Sequence, residues 1–344
     1  MTQLLIRRAM YVVAGLGLLA LAASACNRHK TTFEYSIEAM GLLFQQLKPN
    51  LSQPIIARVQ KMPNALLKST MEFDLSIGIE NAKNYVSHQP SVAERALFQN
   101  YIEKLPKAHQ DIFKKKLLAV YLVDGFSGAG LTDWVVDQES KTYYYLVLNT
   151  ALFSTSIDEW LSFKEDSAFD KSRNFPVVKV RTNTVFKALM YGLLHEGPHM
   201  VDYEMGVTPY LDAQHRKLTG RTQENSRFTD GVWLTGTEPV AANNFKHRAE
   251  LNIYAIFSSK QLIPRAELNM MFLQLKETPF VSFYSGSSWN EDLADYVTYY
   301  HLERILGGAV TLQLQDSNGL LSQYAPVKTK AFKLRESAIQ LFYD

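Results

Sequence analysis

Apolar positions recur every three or four residues over most of this chain, and at every residue or every second residue over one short stretch. From Thr31 to about Gln110 the spacing is helical. "FEYSIEAMGLLFQQL" (Phe33–Leu47) runs up to Pro49, and "SVAERALFQNYIEKL" opens on Ser91 with Glu94 three residues later, the reciprocal pattern of a capping box. Pro54, Pro63 and Pro90 punctuate the region. Between Lys116 and Ser154 the texture changes to β-branched and aromatic runs, "LLAVYLV", "DWVV" and "YYYLVLN", parted by "DGFSGAGLT" and "DQESK". They predict three strands, antiparallel because the second connection is so short. Ser156 and Glu159 predict another capped helix. A further helix is expected over "TVFKALMYGLLHEGPHMVDYEM", with Val185, Phe186, Leu189, Met190, Leu193 and Leu194 on one face. Gly206 to Phe280 reads as a long insert, polar around "TGRTQENSRFTDG" and helical around "KHRAELNIYAIF". The last third is again helical, most clearly in "WNEDLADYVTYYHLERIL". The fold class expected is α+β.

With 47% apolar residues among 344, the chain can bury a sizeable core. Its formal net charge is +2, and the longest Lys/Arg run is Lys114–Lys116, which argues against a nucleic-acid partner. The N-terminus changes the picture. Arg7 and Arg8 precede apolar or small residues from Ala9 to Ala23, a stretch shorter than a typical spanning helix and shaped like a secretory signal. Cys26, the only cysteine, falls where that signal ends. Ala23-Ser24-Ala25-Cys26 resembles a bacterial lipobox. The resemblance implies removal of residues 1–25, lipidation of Cys26 and a membrane-anchored place in the bacterial cell envelope. Asn27, not being Asp, implies the outer membrane. A plain signal peptide and an uncleaved anchor helix are the alternatives. Without a second cysteine the exported chain relies on its core rather than on an internal disulfide.

The candidate chemistry begins at His195-Glu196-Gly197-Pro198-His199, which fits H-E-x-x-H. Residues four apart share one helix face, so both histidines can close on one metal ion. Glu196 projects about 100° round from His195, where a base for a bound water belongs. Gly197 and Pro198 are poor helix formers: Pro costs of order 3 kcal/mol in a helix interior and Gly about 1 kcal/mol relative to Ala. A helix kept only for packing has no use for either, so the defect favours function over two histidines merely satisfied in a core. A catalytic zinc site needs a third protein ligand. His215 and His247 are candidates, and "NEDLAD" (Asn290–Asp295) is a better one: it matches N-E-x-x-[SA]-D, in which Glu291 would ligate and Asp295, one turn on, would accept the outer N–H of a ligating histidine.

On His195, Glu196, His199, Glu291 and Asp295 the chain resembles the gluzincins, the thermolysin-like zinc peptidases. It is more similar still to their lethal-factor-like branch, in which an Asp follows the second histidine by three and a tyrosine precedes the ligand Glu by seven; here these are Asp202 and Tyr284. The resemblance covers about residues 115–305. It departs from the pattern in Gly197-Pro198 and in the long insert before Tyr284. It implies a zincin-like fold: a tether and helical N-terminal region over 26–110, then a metallopeptidase domain over 111–344 with an insert at about 206–280, made of a mixed sheet, an active-site helix and a helical C-terminal half. It implies one Zn2+ per chain held by His195, His199 and Glu291. Glu196 would be the general base and Tyr284 the oxyanion donor. Asp295 would bond a histidine, His195 by the resemblance, and Asp202 would bond His199. Gly128–Asp137 is the candidate edge strand for pairing with an extended peptide or protein substrate, a buried hairpin strand being the other reading. Two other functions stay open: a zinc-binding but catalytically silent lipoprotein that serves as a binding or envelope-assembly factor, and a structural helical lipoprotein without metal.

Overall fold

The three apolar runs expected as strands are strands, but their order in the sheet is not their order in the chain. The computed structural model describes Phe44, Gln45, Leu47 and residues 51–344 apart from 172–174, 210–211 and 222–225. The signal segment, Cys26 and nearly all of the expected Phe33–Leu47 helix lie outside the described residues. No helix among the described residues is long and apolar enough to cross a membrane.

The chain is mixed α+β and divides into two compact units. One comprises the described parts of Met1–Asn100, Gln110–Thr150 and Tyr210–Thr222; the other comprises Tyr101–His109, Ala151–Pro209 and Gln223–Asp344. The expected strand region therefore packs with the N-terminal residues. In chain order, β1 (Val59–Lys61), α1 (Asn64–Ser76), β2 (Val86–His88), α2 (Val92–Ile102) and α3 (Lys107–Lys116) lead into β3 (Leu117–Asp124), β4 (Gly130–Val136) and β5 (Thr142–Asn149). Ser91 and Glu94 exchange the two hydrogen bonds of the capping box that starts α2.

The sheet runs β1-β3-β5-β4, with β2 also pairing to β3. β4 and β5 are antiparallel, as the short connection over residues 137–141 requires; β3 and β5 are parallel, which corrects the all-antiparallel expectation. The reason lies in burial. Every residue from Leu117 to Val123 is buried, as is nearly all of β5, so these two runs occupy the middle of the sheet and β4 is displaced to its end. Gly128–Asp137 thus contains a terminal strand, though one whose residues Leu131–Val136 are covered. α6 (Ala213–Thr219) belongs to this unit: its Asp212 N-cap also accepts from the Trp134 indole of β4 at 2.8 Å.

The second unit begins with α4 (Ile157–Asp166), whose Ser156–Glu159 capping box is complete. β6 (Val177–Arg181) follows, then α5 (Leu189–Met205). Further on come a small hairpin, β7 (Trp233–Thr235) with β8 (Glu238–Pro239), then α7 (Leu268–Lys276) and α8 (Trp289–Tyr300). The C-terminal third is not wholly helical: β9 (Thr311–Asp316) and β10 (Gly319–Tyr324) form a hairpin, and β9 pairs with β6 in the three-stranded sheet β10-β9-β6. Leu312 and Leu314 are buried there between more exposed polar neighbours. "KHRAELNIYAIF" is not a helix either. It breaks at His247 and Tyr254, both at positive φ, into two short 3₁₀ turns, and the Arg248 guanidinium is buried against Asn244 and the Gly286 carbonyl.

Candidate metal centre

α5 carries the centre, and it is buried on almost every side. Each residue from Leu189 to Pro198 is buried, so the helix is central rather than amphipathic. It starts later than expected: Val185 stands before it, 99% exposed, and is no part of the core face. Its end follows the rule for a left-handed cap, with Gly206 at φ 65° donating to the Asp202 carbonyl at 2.9 Å.

Gly197 and Pro198 lie within an unbroken helix. Proline leaves the Leu194 carbonyl without its helical donor. The glycine has a steric cause: a Cβ at position 197 would come within 2.4 Å of Nδ1 of His109, whose buried ring lies edge-on to Phe342. The helix passes so close to that imidazole that only a hydrogen fits.

α8 packs against α5 and brings in the acids. Ser288 caps it by accepting the Glu291 N–H, which places Glu291 in the first turn and Asp295 one turn later on the same face. Nε2 of His195 is 3.1 Å and Nε2 of His199 3.9 Å from the same oxygen of Glu291. Donors about 2.0–2.2 Å from one tetrahedral ion stand roughly 3.3–3.5 Å apart, and these separations bracket that value. Among the described residues, His195, His199 and Glu291 form the one group of three His, Cys, Asp or Glu side chains that can hold a metal ion.

The surroundings orient these donors. Nδ1 of His195 donates to Asp295 at 2.9 Å, so its Nε2 is the atom turned to Glu291. Burial works against a charged His195, but the hydrogen bonds and charges of Asp295 and Glu291 outweigh it and raise the imidazole to about 10. Burial likewise pushes Glu291 up, yet the His195 hydrogen bond and the two imidazoles bring it below the ordinary range. Tyr284 stacks on the His195 ring at 5.4 Å and 16°, and the charge of Glu291 bears on its buried phenol. Glu196 is buried beside them, 5% exposed, and its charge bears on His199 and Tyr284.

One expected contact is not made. Asp202 bonds Thr208, through both the backbone N–H and the hydroxyl, rather than His199. It stands in the last turn of α5, where the chain reverses past Gly206 and presents Thr208 to it. Burial raises its carboxyl to about 6 in spite of those bonds. The other histidines considered as ligands are engaged elsewhere, His215 with Thr142 in the first unit at 2.7 Å and His247 with Glu250 at 2.7 Å.

Lys164 and Glu165 of α4 were not legible as part of the centre. Both side chains are fully buried, and Nζ of Lys164 lies 2.6 Å from Asp295 and 2.9 Å from Glu165. In the sequence they stand near the end of the capped helix that Ser156 starts, with Lys164 lying 131 positions from Asp295. A lysine at a position facing the core of a capped helix is the one signal that pointed there.

An α+β unit with a buried His–His–Glu group is as far as fold and geometry define the class. No protein-family model matches the chain, and no curated protein or solved structure matches it.

Proposed function

We propose that the protein is a zinc-dependent peptidase of gluzincin type. The observation that carries this reading is the convergence of His195, His199 and Glu291 on one point, with Asp295 on the outer nitrogen of His195 and the Tyr284 ring stacked on the His195 imidazole. Two nitrogens and one carboxylate oxygen form a borderline donor set suited to zinc, and three protein ligands leave a position open, as a catalytic site requires. When bound, the zinc supplies Lewis acidity and lowers the pKa of a water in that position.

The chain's own residues do the rest. Glu196, one helical step from His195, accepts the proton of the attacking water and passes it to the leaving amine. Tyr284 donates its phenolic hydrogen to the oxygen of the scissile carbonyl as charge develops there, a contribution of a few kcal/mol when the donor is preorganised. Asp295 keeps the Nδ1 proton of His195 in place throughout. The proposed location, lipid-anchored in the cell envelope, rests on Cys26 and the apolar segment before it.

The test is Glu196→Gln, with zinc content and digestion of a peptide library measured together. Full zinc occupancy with cleavage reduced by about 100-fold or more is expected, since general-base catalysis contributes about 10²–10⁴. Zinc uptake by the wild type without cleavage of any peptide would establish the silent binding factor instead.

A further inference from the structure

Asp295 commits its two oxygens in opposite directions. Oδ1 accepts from His195 at 2.9 Å and from the Tyr191 phenol at 3.2 Å. Oδ2 accepts from Lys164 at 2.6 Å and from Ser282. Glu165 divides its oxygens in the same way: Oε1 faces Lys164 at 2.9 Å, while Oε2 accepts the N–H of Phe283, the residue before Tyr284, at 2.7 Å. The Lys164 ammonium also lies over the faces of Tyr191 and Tyr284, 5.1 and 5.2 Å from their centroids. One buried cation thus joins two carboxylates, one holding His195 and the other holding the turn that carries Tyr284.

Stability alone is a poor reason for such an arrangement. Stripping charges of water is costly, and well-packed apolar side chains often match or better a buried ion pair. What the ion pair adds is direction. A carboxylate held on one side by an ammonium cannot rotate to follow a drifting imidazole.

We propose that Lys164 is a positioning residue for the metal centre: through Asp295 it holds His195 with Nε2 toward Glu291, and through Glu165 it holds the Tyr284 turn against that ring. The inference rests on the reading of His195, His199 and Glu291 as metal ligands. Lys164 acts through its partners, so its loss perturbs the centre without removing a ligand or the base.

Lys164→Met alone leaves two carboxylates uncompensated and can unfold the protein. The decisive variant is therefore Lys164→Met combined with Glu165→Gln, which removes one charge of each sign and keeps an amide oxygen for the Phe283 N–H. Two measurements are made on the full-length protein: zinc affinity by competition with a chromophoric chelator, and NMR of ¹⁵N-labelled histidine in the metal-free state, following the slowly exchanging Nδ1 proton of His195. The folded double variant is expected to bind zinc about 10–100-fold more weakly, the usual effect of losing an outer hydrogen-bond partner, and to lose the slow exchange of that proton. Glu165→Gln alone leaves Lys164 on Asp295 and is expected to lose less of both than the double variant; an equal loss would assign the effect to Glu165 and overturn the role of Lys164. Wild-type zinc affinity, or an unaltered His195 Nδ1 proton, in the folded double variant overturns the proposal. If the wild type takes up no zinc, the metal reading fails, and the His195 proton still decides the role of Lys164.

Discussion

His215 in the first unit and His195 in the second are both buried on helices, and their imidazoles are driven in opposite directions. His215 meets the Thr142 hydroxyl at 2.7 Å and the Trp134 ring edge-on at 4.8 Å. Burial, then the positive charges of Arg221 and Lys116, lower it to about 3. His195 is 3% exposed, yet Asp295 and Glu291 raise it to about 10. Burial by itself disfavours the cation in both places. What separates a core histidine from a candidate ligand is the pair of carboxylates that α8 delivers, one on each ring nitrogen.

The comparison breaks most sharply at the third ligand. Glu291→Ala removes a carboxylate from the His195–His199 pair and is expected to weaken zinc binding by more than the 10–100-fold typical of losing an outer partner. His215→Ala should leave zinc binding at the wild-type level and instead lower the stability of the protein by about 1–3 kcal/mol, as a buried hydrogen-bonded group is lost. Metal analysis and urea unfolding of the two variants separate these effects. Retention of zinc by Glu291→Ala, with loss in His215→Ala, makes His215 rather than Glu291 the third ligand.

A smaller effect is expected at the two residues between the ligands. Gly197→Ala forces a methyl into the His109 ring, where the nearest atom would be 2.4 Å away, and should cost about 1–3 kcal/mol in unfolding free energy. Pro198→Ala restores an N–H to the Leu194 carbonyl and should stabilise by about 1 kcal/mol without weakening zinc binding. Shifts of opposite sign would show that the glycine answers a packing constraint and the proline does not. Stabilisation by Gly197→Ala would refute the steric account.

The smallest effect is electrostatic and returns to the first unit. His88 lies between Glu94 at 3.1 Å and Asp124 at 3.3 Å. Burial lowers it, but the two acids prevail and its pKa is raised. A histidine whose folded pKa exceeds its unfolded value of about 6.5 contributes stability that is fully present below that pH and lost as pH rises through the folded pKa. His88 should therefore contribute a slight decline of unfolding free energy from mildly acidic to mildly alkaline pH, by an amount that salt reduces because the trio is partly solvated. His88→Gln should flatten that slope. A slope unchanged in the variant assigns it to other groups.

How much could be read beforehand follows from the range of each interaction. His195, His199, Glu291 and Asp295 were legible because they stand in two short motifs, H-E-x-x-H and N-E-x-x-[SA]-D, whose i and i+4 spacing sets each pair on one helix face. The two capping boxes were legible for the same local reason. β9 and β10 were missed although Leu312 and Leu314 alternate with Gln313 and Gln315 and Asn318-Gly319 marks a turn, so the signal was present and the wrong period was applied. "KHRAELNIYAIF" failed differently. Its residues favour a helix, and the burial of Arg248 against Gly286 overrides that preference.

The amino-acid sequence by itself determined the local terms of this protein: where the two capping boxes start α2 and α4, that the apolar runs between Lys116 and Ser154 are strands, and that His195 with His199 and Glu291 with Asp295 share a face of α5 and of α8. Only the tertiary structure decided that α8 lies against α5 with Glu291 opposite both histidines, that β5 stands between β3 and β4, that Asp202 serves Thr208, and that Lys164 reaches Asp295 from 131 positions away. The division has a physical cause. Dihedral preference and side-chain period act over a few residues and are written in them, whereas burial and ion pairing depend on which distant surfaces exclude water together.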